Sequence, residues 1–252
     1  MLLPANNPSL WTGPTGNNTY LLRGRVPTLV DAGVGKPAHL EALASHLDGA
    51  ALAAVLITHG HPDHAGGLPA IAGRWPSARV VRFADVSTAL DAPITAGDRD
   101  LWPIHTPGHA PDHLCFFDRV EGDVFCGDLV RAGGTIVIPG SRGGNLRQYL
   151  DSLRCVRDLS PRRLLPGHGP IIDDPAPVID EYLRHRQDRE QQIIDALRAG
   201  ATTPEAIAAR VYGERPSAIA AAAADSVLAH LIKLEEDGSA VRSEGRWSLA
   251  GC

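Results

Sequence analysis

A short apolar run, Ala54-Val55-Leu56-Ile57, ends abruptly in Thr58-His59-Gly60-His61-Pro62-Asp63-His64, and this join restricts the fold more than any other stretch. The apolar run reads as the end of a buried strand. The residues after it read as a loop, because Gly60 is conformationally free and Pro62 pushes His61 out of the α region. Pro62 suits the first position of a helix, so Asp63 and His64 are expected on its opening turn. Three imidazoles and a carboxylate thus surround one small volume at the end of a strand. Neutral imidazoles with a carboxylate and no thiolate suit zinc or a related first-row divalent ion.

A chain of 252 residues can build one large domain, or a medium domain with a small appendage. Its formal net charge of -5 gives no general attraction for polyanions, so a nucleic-acid substrate would need a local patch. Cys115, Cys126, Cys155 and Cys252 show no CxxC spacing, and reduced thiols in a cytoplasmic protein are the expectation. The N-terminus has neither the charged nor the apolar region of a signal peptide. No segment is expected to reach the roughly 20 apolar residues of a membrane span, and no membrane partner is expected.

In chain order, strands are expected at 19–22, 28–31, 52–58, 78–83, 101–105, 114–117, 124–126, 135–138 and 163–165. Helices are expected from Pro37 to about Leu47, from about Gly67 to Gly73, and from Leu146 to Leu159 behind an Asn145 N-cap. Strands first in runs and then alternating with helices predict an α/β fold, two sheets covered by helices outside: an αββα sandwich. The composition shifts near Pro175-Ala176-Pro177. Residues 1–175 are therefore expected to form one domain, carrying the histidine loop, and 176–252 a helical C-terminal domain. The order there, helix 178–198, short helix from Thr203, helix 217–236 and a hairpin about Glu244-Gly245, is that of a winged helix.

Three further loops follow apolar strands and carry ligand-type side chains beside glycine: His109 in Thr-Pro-Gly-His, Asp128 in Phe-Cys-Gly-Asp, and His168 in Pro-Gly-His-Gly. With the first loop they supply five imidazoles and two carboxylates, enough for two metals and a bridge. Cys126 lies two residues before Asp128 and is expected as a packed thiol.

The pattern His59-x-His61-x-Asp63-His64, His109, Asp128, His168 resembles the metallo-β-lactamase superfamily of binuclear hydrolases over about residues 10–172. The resemblance implies two divalent metal ions, zinc first, with manganese or iron also compatible with these ligands. It places one on His59, His61 and His109, the other on Asp63, His64 and His168, with Asp128 bridging and Asp31 orienting a histidine ligand from behind. Two dications roughly 3.5–4 Å apart can share a water and lower its pKa to about 7, which gives a bridging hydroxide for hydrolysis. Asp63 and His113 are the expected catalytic residues beyond ligation, His113 as a hydrogen-bond donor to a scissile group or leaving atom. Asn18 and Tyr20 are considered for the cleft.

His64 after Asp63, together with a bridging Asp128, argues against antibiotic hydrolysis. Gly16-Asn17-Asn18-Thr19-Tyr20, Pro107 to His113, Leu165 to Pro170 and the helix Tyr182 to Gln192 resemble the beta-lactamase-like protein two subgroup, which includes a single-stranded-RNA endoribonuclease. One departure is the segment from Asp85 to Arg99, shorter than its counterpart there. The resemblance implies a phosphodiesterase on single-stranded RNA, and Arg184, His185, Arg186 and Arg189 are read as a basic face for it. The alternative is a thioesterase or lactonase on a small carbonyl ester. A DNA-binding regulator with a merely structural metal is the remaining class. Against nucleic-acid gripping by the tail, residues 176–252 count 12 acidic and 9 basic side chains. Shaping the cleft or forming a homodimer suits that tail better.

Overall fold

A computed structural model describes residues 1–251; Cys252 lies outside them. The first sheet takes its strands in chain order: β1 (Leu2–Pro4), β2 (Asn18–Leu22), β3 (Thr28–Val30), β4 (Ala54–Leu56) and β5 (Arg79–Val81). Between them lie α1 (Pro37–Leu47), α2 (Pro62–Ala65) and α3 (Leu68–Arg74). Then come α4 (Phe83–Val86), β6 (Ile94–Ala96), β7 (Arg99–His105), β8 (Leu114–Asp118), β9 (Asp123–Gly127), α5 (Leu146–Asp158) and β10 (Arg163–Pro166). The second sheet runs β10-β9-β8-β7-β6.

Side chains alternate along each strand, and the two sets go to different cores. Tyr20, Val30, Leu56, Phe116 and Phe125 fill the space between the sheets. Leu21, Leu29, Val55 and Ile57 face outward and are covered by Leu43 and Leu47 of α1 and Leu68 and Ile71 of α3. On the other side Cys115, Val124, Cys126 and Leu164 are covered by Leu146, Tyr149, Leu153 and Val156 of α5. The expected αββα sandwich is therefore present. Asn145 caps α5 by accepting from the Gln148 N–H at 2.9 Å, a contact typically worth about 1 kcal/mol.

Two parallel pairs aim the sandwich's chemistry at one edge. In β3 and β4, Val30 lies opposite Leu56, so Asp31 and the Thr58 loop emerge side by side. In β9 and β10, Pro166 lies opposite Gly127, so the Asp128 and His168 loops do the same.

The remaining chain forms α6 (Pro175–Arg198), α7 (Pro204–Tyr212), α8 (Ser217–Glu236) and the hairpin β11 (Ala240–Ser243) and β12 (Arg246–Leu249). The boundary expected at 175 falls on the first turn of α6. Ile179 and Tyr182 of that helix pack with α5, whereas Ile193, Ala196 and Leu197 pack with Val227, Leu231 and Trp247 of the winged helix.

Residues 135–138 are not a strand. Ile136 and Ile138 are buried as an apolar run should be, but the Ile136 and Val137 carbonyls are taken by side chains, those of Arg186 and His109. Two strands escape the pattern, β1 and β6, each only three residues long. Among the described residues one helix, α8, is long and apolar enough by length and composition to cross a membrane, contrary to expectation. Ala224, Val227, Leu231 and Leu234 on it are buried in the winged-helix core.

Candidate metal centre

Each side chain of the centre is delivered by a strand end. His59 and His61 leave β4, and Asp63 and His64 sit on α2, which Pro62 opens with His61 extended at ψ 147°. The Nε2 of His59 and the Nε2 of His109 each lie 2.9 Å from Nδ1 of His61. These three nitrogens form one ligand group. Asp63, His64 and His168 form another, with Asp63 Oδ2 3.7 Å from His64 Nε2 and 3.4 Å from His168 Nε2. Asp128 stands between the groups. Its Oδ1 is 3.3 Å from Nε2 of both His64 and His168, and its Oδ2 is 3.6 Å from Nε2 of His109.

The donor set fits divalent cations on an observation independent of family. His64 Nε2 and Asp128 Oδ1 are buried and make no hydrogen bond, a costly state for polar atoms unless something charged pairs with them. A cation of zinc type satisfies an imidazole nitrogen and a carboxylate oxygen together.

Outer partners fix how the rings point. Asp31 Oδ2 holds His64 Nδ1 at 2.7 Å, and Asp31 Oδ1 accepts from the Thr58 backbone N–H at 2.8 Å. Asp31 adopts φ 61°, a left-handed conformation that asparagine and aspartate tolerate best. Thr58 Oγ1 is 3.1 Å from His59 Nδ1, and the Val137 carbonyl is 2.8 Å from His109 Nδ1. Asn17 donates to Asp63 Oδ2 at 3.1 Å.

Electrostatics divide the groups. Burial lowers the pKa of His59 well below the ordinary value, and it lowers that of His109. Burial, with His109 nearby, brings His61 to about 4. In the other group burial opposes charge, but the Asp128 and Asp31 carboxylates hold His64 well above the usual histidine value. For His168 burial is likewise outweighed, by Asp128 and Asp63, and its pKa rises to about 9. Burial alone would raise Asp63, yet the His168 hydrogen bond and the His64 charge bring it to about 2. Asp128 is held well below the carboxylate range against its burial by His64 and His168.

The structure brings together all seven expected ligands, and it corrects His113. That ring is fully buried, its Nδ1 bonded to Thr106 Oγ1 at 2.8 Å, while its Nε2 accepts the Asp128 backbone N–H at 3.1 Å. Its Nε2 holds the Asp128 main chain and its Nδ1 is tied to Thr106, so neither nitrogen is free for a substrate. Gly127 explains the closeness, since a Cβ there would lie 2.8 Å from both His113 Nε2 and Thr58 Cβ. Its φ of 45° also breaks the strand alternation, sending Cys126 to the core and Asp128 to the centre. Asn18 and Tyr20 face inward as well: Asn18 donates to Gly169 O at 2.7 Å and Tyr20 to Pro166 O at 2.8 Å, steadying the His168 loop. Asn17, their neighbour, is the residue that reaches the centre.

A cleft of about 1390 Å³ opens over the centre. His61, Asp63, His109, Asp128 and His168 form its floor, Trp11 and Arg131 one rim, and α7 with the alanines of α8 the far wall. No residue of the short Asp85–Arg99 segment lines it; the winged helix supplies that wall instead. Arg186, expected on a basic outer face, is buried.

Residues 12–82 and 80–168 match the metallo-beta-lactamase superfamily, and residues 203–247 match the beta-lactamase associated winged helix domain. The Beta-lactamase-like protein 2 homolog of Drosophila melanogaster is 34% identical over 258 residues, covering 92% of this chain and 86% of that protein. Among solved structures, the metallo-beta-lactamase family protein TTHA1429 from Thermus thermophilus is similar over 99% of this chain and 98% of its own, with TM-score 0.81 at 23% identity. TTHA1623 in a di-iron-bound form covers 69% of this chain and 94% of its own, with TM-score 0.50 at 25% identity.

Proposed function

The chain belongs to the metallo-beta-lactamase superfamily and is a metal-dependent hydrolase, and we propose that it cleaves phosphodiester bonds of single-stranded RNA at a binuclear centre. His59, His61 and His109 would hold one ion and Asp63, His64 and His168 the other, with the Asp128 carboxylate, between the two groups, available to both. Bound cations of this kind supply a water of lowered pKa and polarise the oxygen of the bond under attack. Asp63, kept anionic and oriented by Asn17, accepts the proton that the attacking water gives up. His113 keeps the Asp128 main chain in place, and Asp31 keeps His64 with its Nε2 toward the centre.

The observation that carries the RNA reading is the cleft. At about 1390 Å³ it exceeds the roughly 300–1,000 Å³ of sites built for small ligands. Trp11, 47% exposed on the rim, offers a stacking face, and Arg131, Arg142 and Arg215 line the same opening. Stacking faces beside cations suit single strands. The winged helix contributes as a wall: α8 carries no arginine, and its alanines turn toward the cleft. That same wall favours a second reading, hydrolysis of a carbonyl ester with an apolar tail, because Ala218, Ala220, Ala221 and Leu228 offer no charge to a phosphate chain.

The test is to measure the protein's metal content and then assay unstructured RNA, bis(p-nitrophenyl) phosphate and a panel of thioesters, with Asp63→Ala and His168→Ala as controls. RNA cleavage that both substitutions abolish is the expected result. Cleavage unchanged in both variants betrays a contaminating nuclease and ends the RNA reading. Thioester turnover with inert RNA replaces it by the second.

A further inference from the structure

Arg186 is buried, only 3% exposed, in the middle of α6, and its charge is not met by a carboxylate in its hydrogen bonds. Its Nη2 donates to the Ile136 carbonyl at 2.5 Å and to Thr135 Oγ1 at 3.3 Å, and its Nε has no partner. Burying a guanidinium on such terms is costly, and an apolar side chain of similar volume would often serve stability as well or better. Something other than stability is served by its placement.

The carbonyl next to Ile136 is that of Val137, which takes Nδ1 of His109. Residues 135–138 have no sheet partner; the Ile138 carbonyl accepts the Gly140 N–H, and the Ile136 and Val137 carbonyls are held by the side chains of Arg186 and His109. A bond to the Ile136 carbonyl fixes the Ile136–Val137 peptide and with it the direction from which the Val137 carbonyl departs. His109 donating from Nδ1 to that carbonyl leaves Nε2 as the lone-pair nitrogen, aimed at the atoms of His61 and Asp128. The guanidinium also lies 5.3 Å from the Tyr149 ring centroid. Tyr149 in turn donates to the Leu129 carbonyl at 2.7 Å, and its main chain is so close to Gly108 that a Cβ there would lie 2.3 Å away. Tyr182, one turn before Arg186, donates to the Arg131 carbonyl at 2.9 Å and accepts the Arg131 N–H at 3.1 Å.

We propose that Arg186 is a positioning residue for the His59, His61 and His109 half of the centre, holding the 135–138 main chain that orients His109. Through it the helix that also packs the winged-helix core is bonded to the metal site. The inference rests on the assignment of those three histidines to one ion.

The test is a cobalt(II) titration of the full chain, with visible absorbance resolving two equivalents. Arg186→Met and Arg186→Gln, each shown folded by circular dichroism, should weaken one cobalt equivalent about 10–100-fold, the cost typical of losing an outer partner of a ligand. The other equivalent should stay within about threefold, and Arg189→Met, on the same helix, should leave both unchanged. Wild-type protein that binds fewer than two ions overturns the assignment itself and this inference with it. Two ions in wild type, with both retained at full affinity in a folded Arg186 variant, overturn only the role of Arg186. So does equal weakening of both equivalents, which marks general loosening. If neither variant folds, the ¹⁵N signals of the Arg186 guanidinium in wild type, titrated with diamagnetic zinc(II), decide: they should shift with one equivalent, and no shift with either, or equal shifts with both, overturns the proposal.

Discussion

The two halves of the centre are built from similar residues and prepared in opposite ways. The Nδ1 atoms of His59 and His109 face a threonine hydroxyl and a main-chain carbonyl, and burial outweighs the nearby carboxylates in keeping His59, His61 and His109 unprotonated. His64 and His168 sit among carboxylates that hold protons on them, His168 to about 9. One half awaits its cation with lone pairs ready. In the other, incoming metal must first displace protons, and the carboxylates that held those protons then pair with the metal.

Removing what the halves share should have the largest effect. Asp128→Ala is expected to lower hydrolysis by far more than the roughly 100-fold that loss of an outer partner costs, and to leave fewer than two ions bound after dialysis. Next comes pH. Because His168 binds a proton below about 9, metal affinity of its half should fall as pH falls, about tenfold per pH unit for each proton displaced. The all-imidazole half should hold its affinity until pH approaches the value of about 4 at which His61 titrates. Chelator competition at pH 8 and pH 6 measures both, and parallel losses in the two halves would erase the distinction. Asp31→Asn is expected to weaken the His64 half about 10–100-fold and the other half less, since Asp31 reaches His59 only through Thr58. The smallest effect is expected at His113, whose burial holds its pKa at about 3. His113→Leu should cost about 1–3 kcal/mol in denaturant unfolding by unpairing the Asp128 N–H, while the pH profile of hydrolysis keeps its limbs. A lost basic limb would restore His113 as a proton donor.

Much of this was legible in the chain. Histidines and aspartates beside glycine at strand ends announced the centre, because few other structures need that combination. The supports were less visible, since each joins residues far apart in sequence. Asn17 meets Asp63 along one edge of the first sheet, 46 residues on, and nothing in Gly16-Asn17-Asn18 says which asparagine does so. Residues 135–138 carry the apolar run of a strand, and only the side chains claiming their carbonyls show that they pair with none. His113 looked catalytic because a histidine near ligands can be; its two committed nitrogens are a fact of three dimensions. Arg186 read as surface charge beside Arg184, which is exposed. The cleft wall was sought in the Asp85–Arg99 segment, but the folding back of α7 and α8 supplies it.

Helix α6 lies in the interval between the two matched segments, which end at residue 168 and resume at 203. Inheritance and mechanics divide the chain differently there. A chimera that exchanged winged helices by cutting ahead of Pro175 would take away Tyr182 and Arg186, and with them the grip on the loops behind His109 and Asp128. A graft made after Arg198 would keep that grip, so the portable module is shorter at its front end than the helix that announces it.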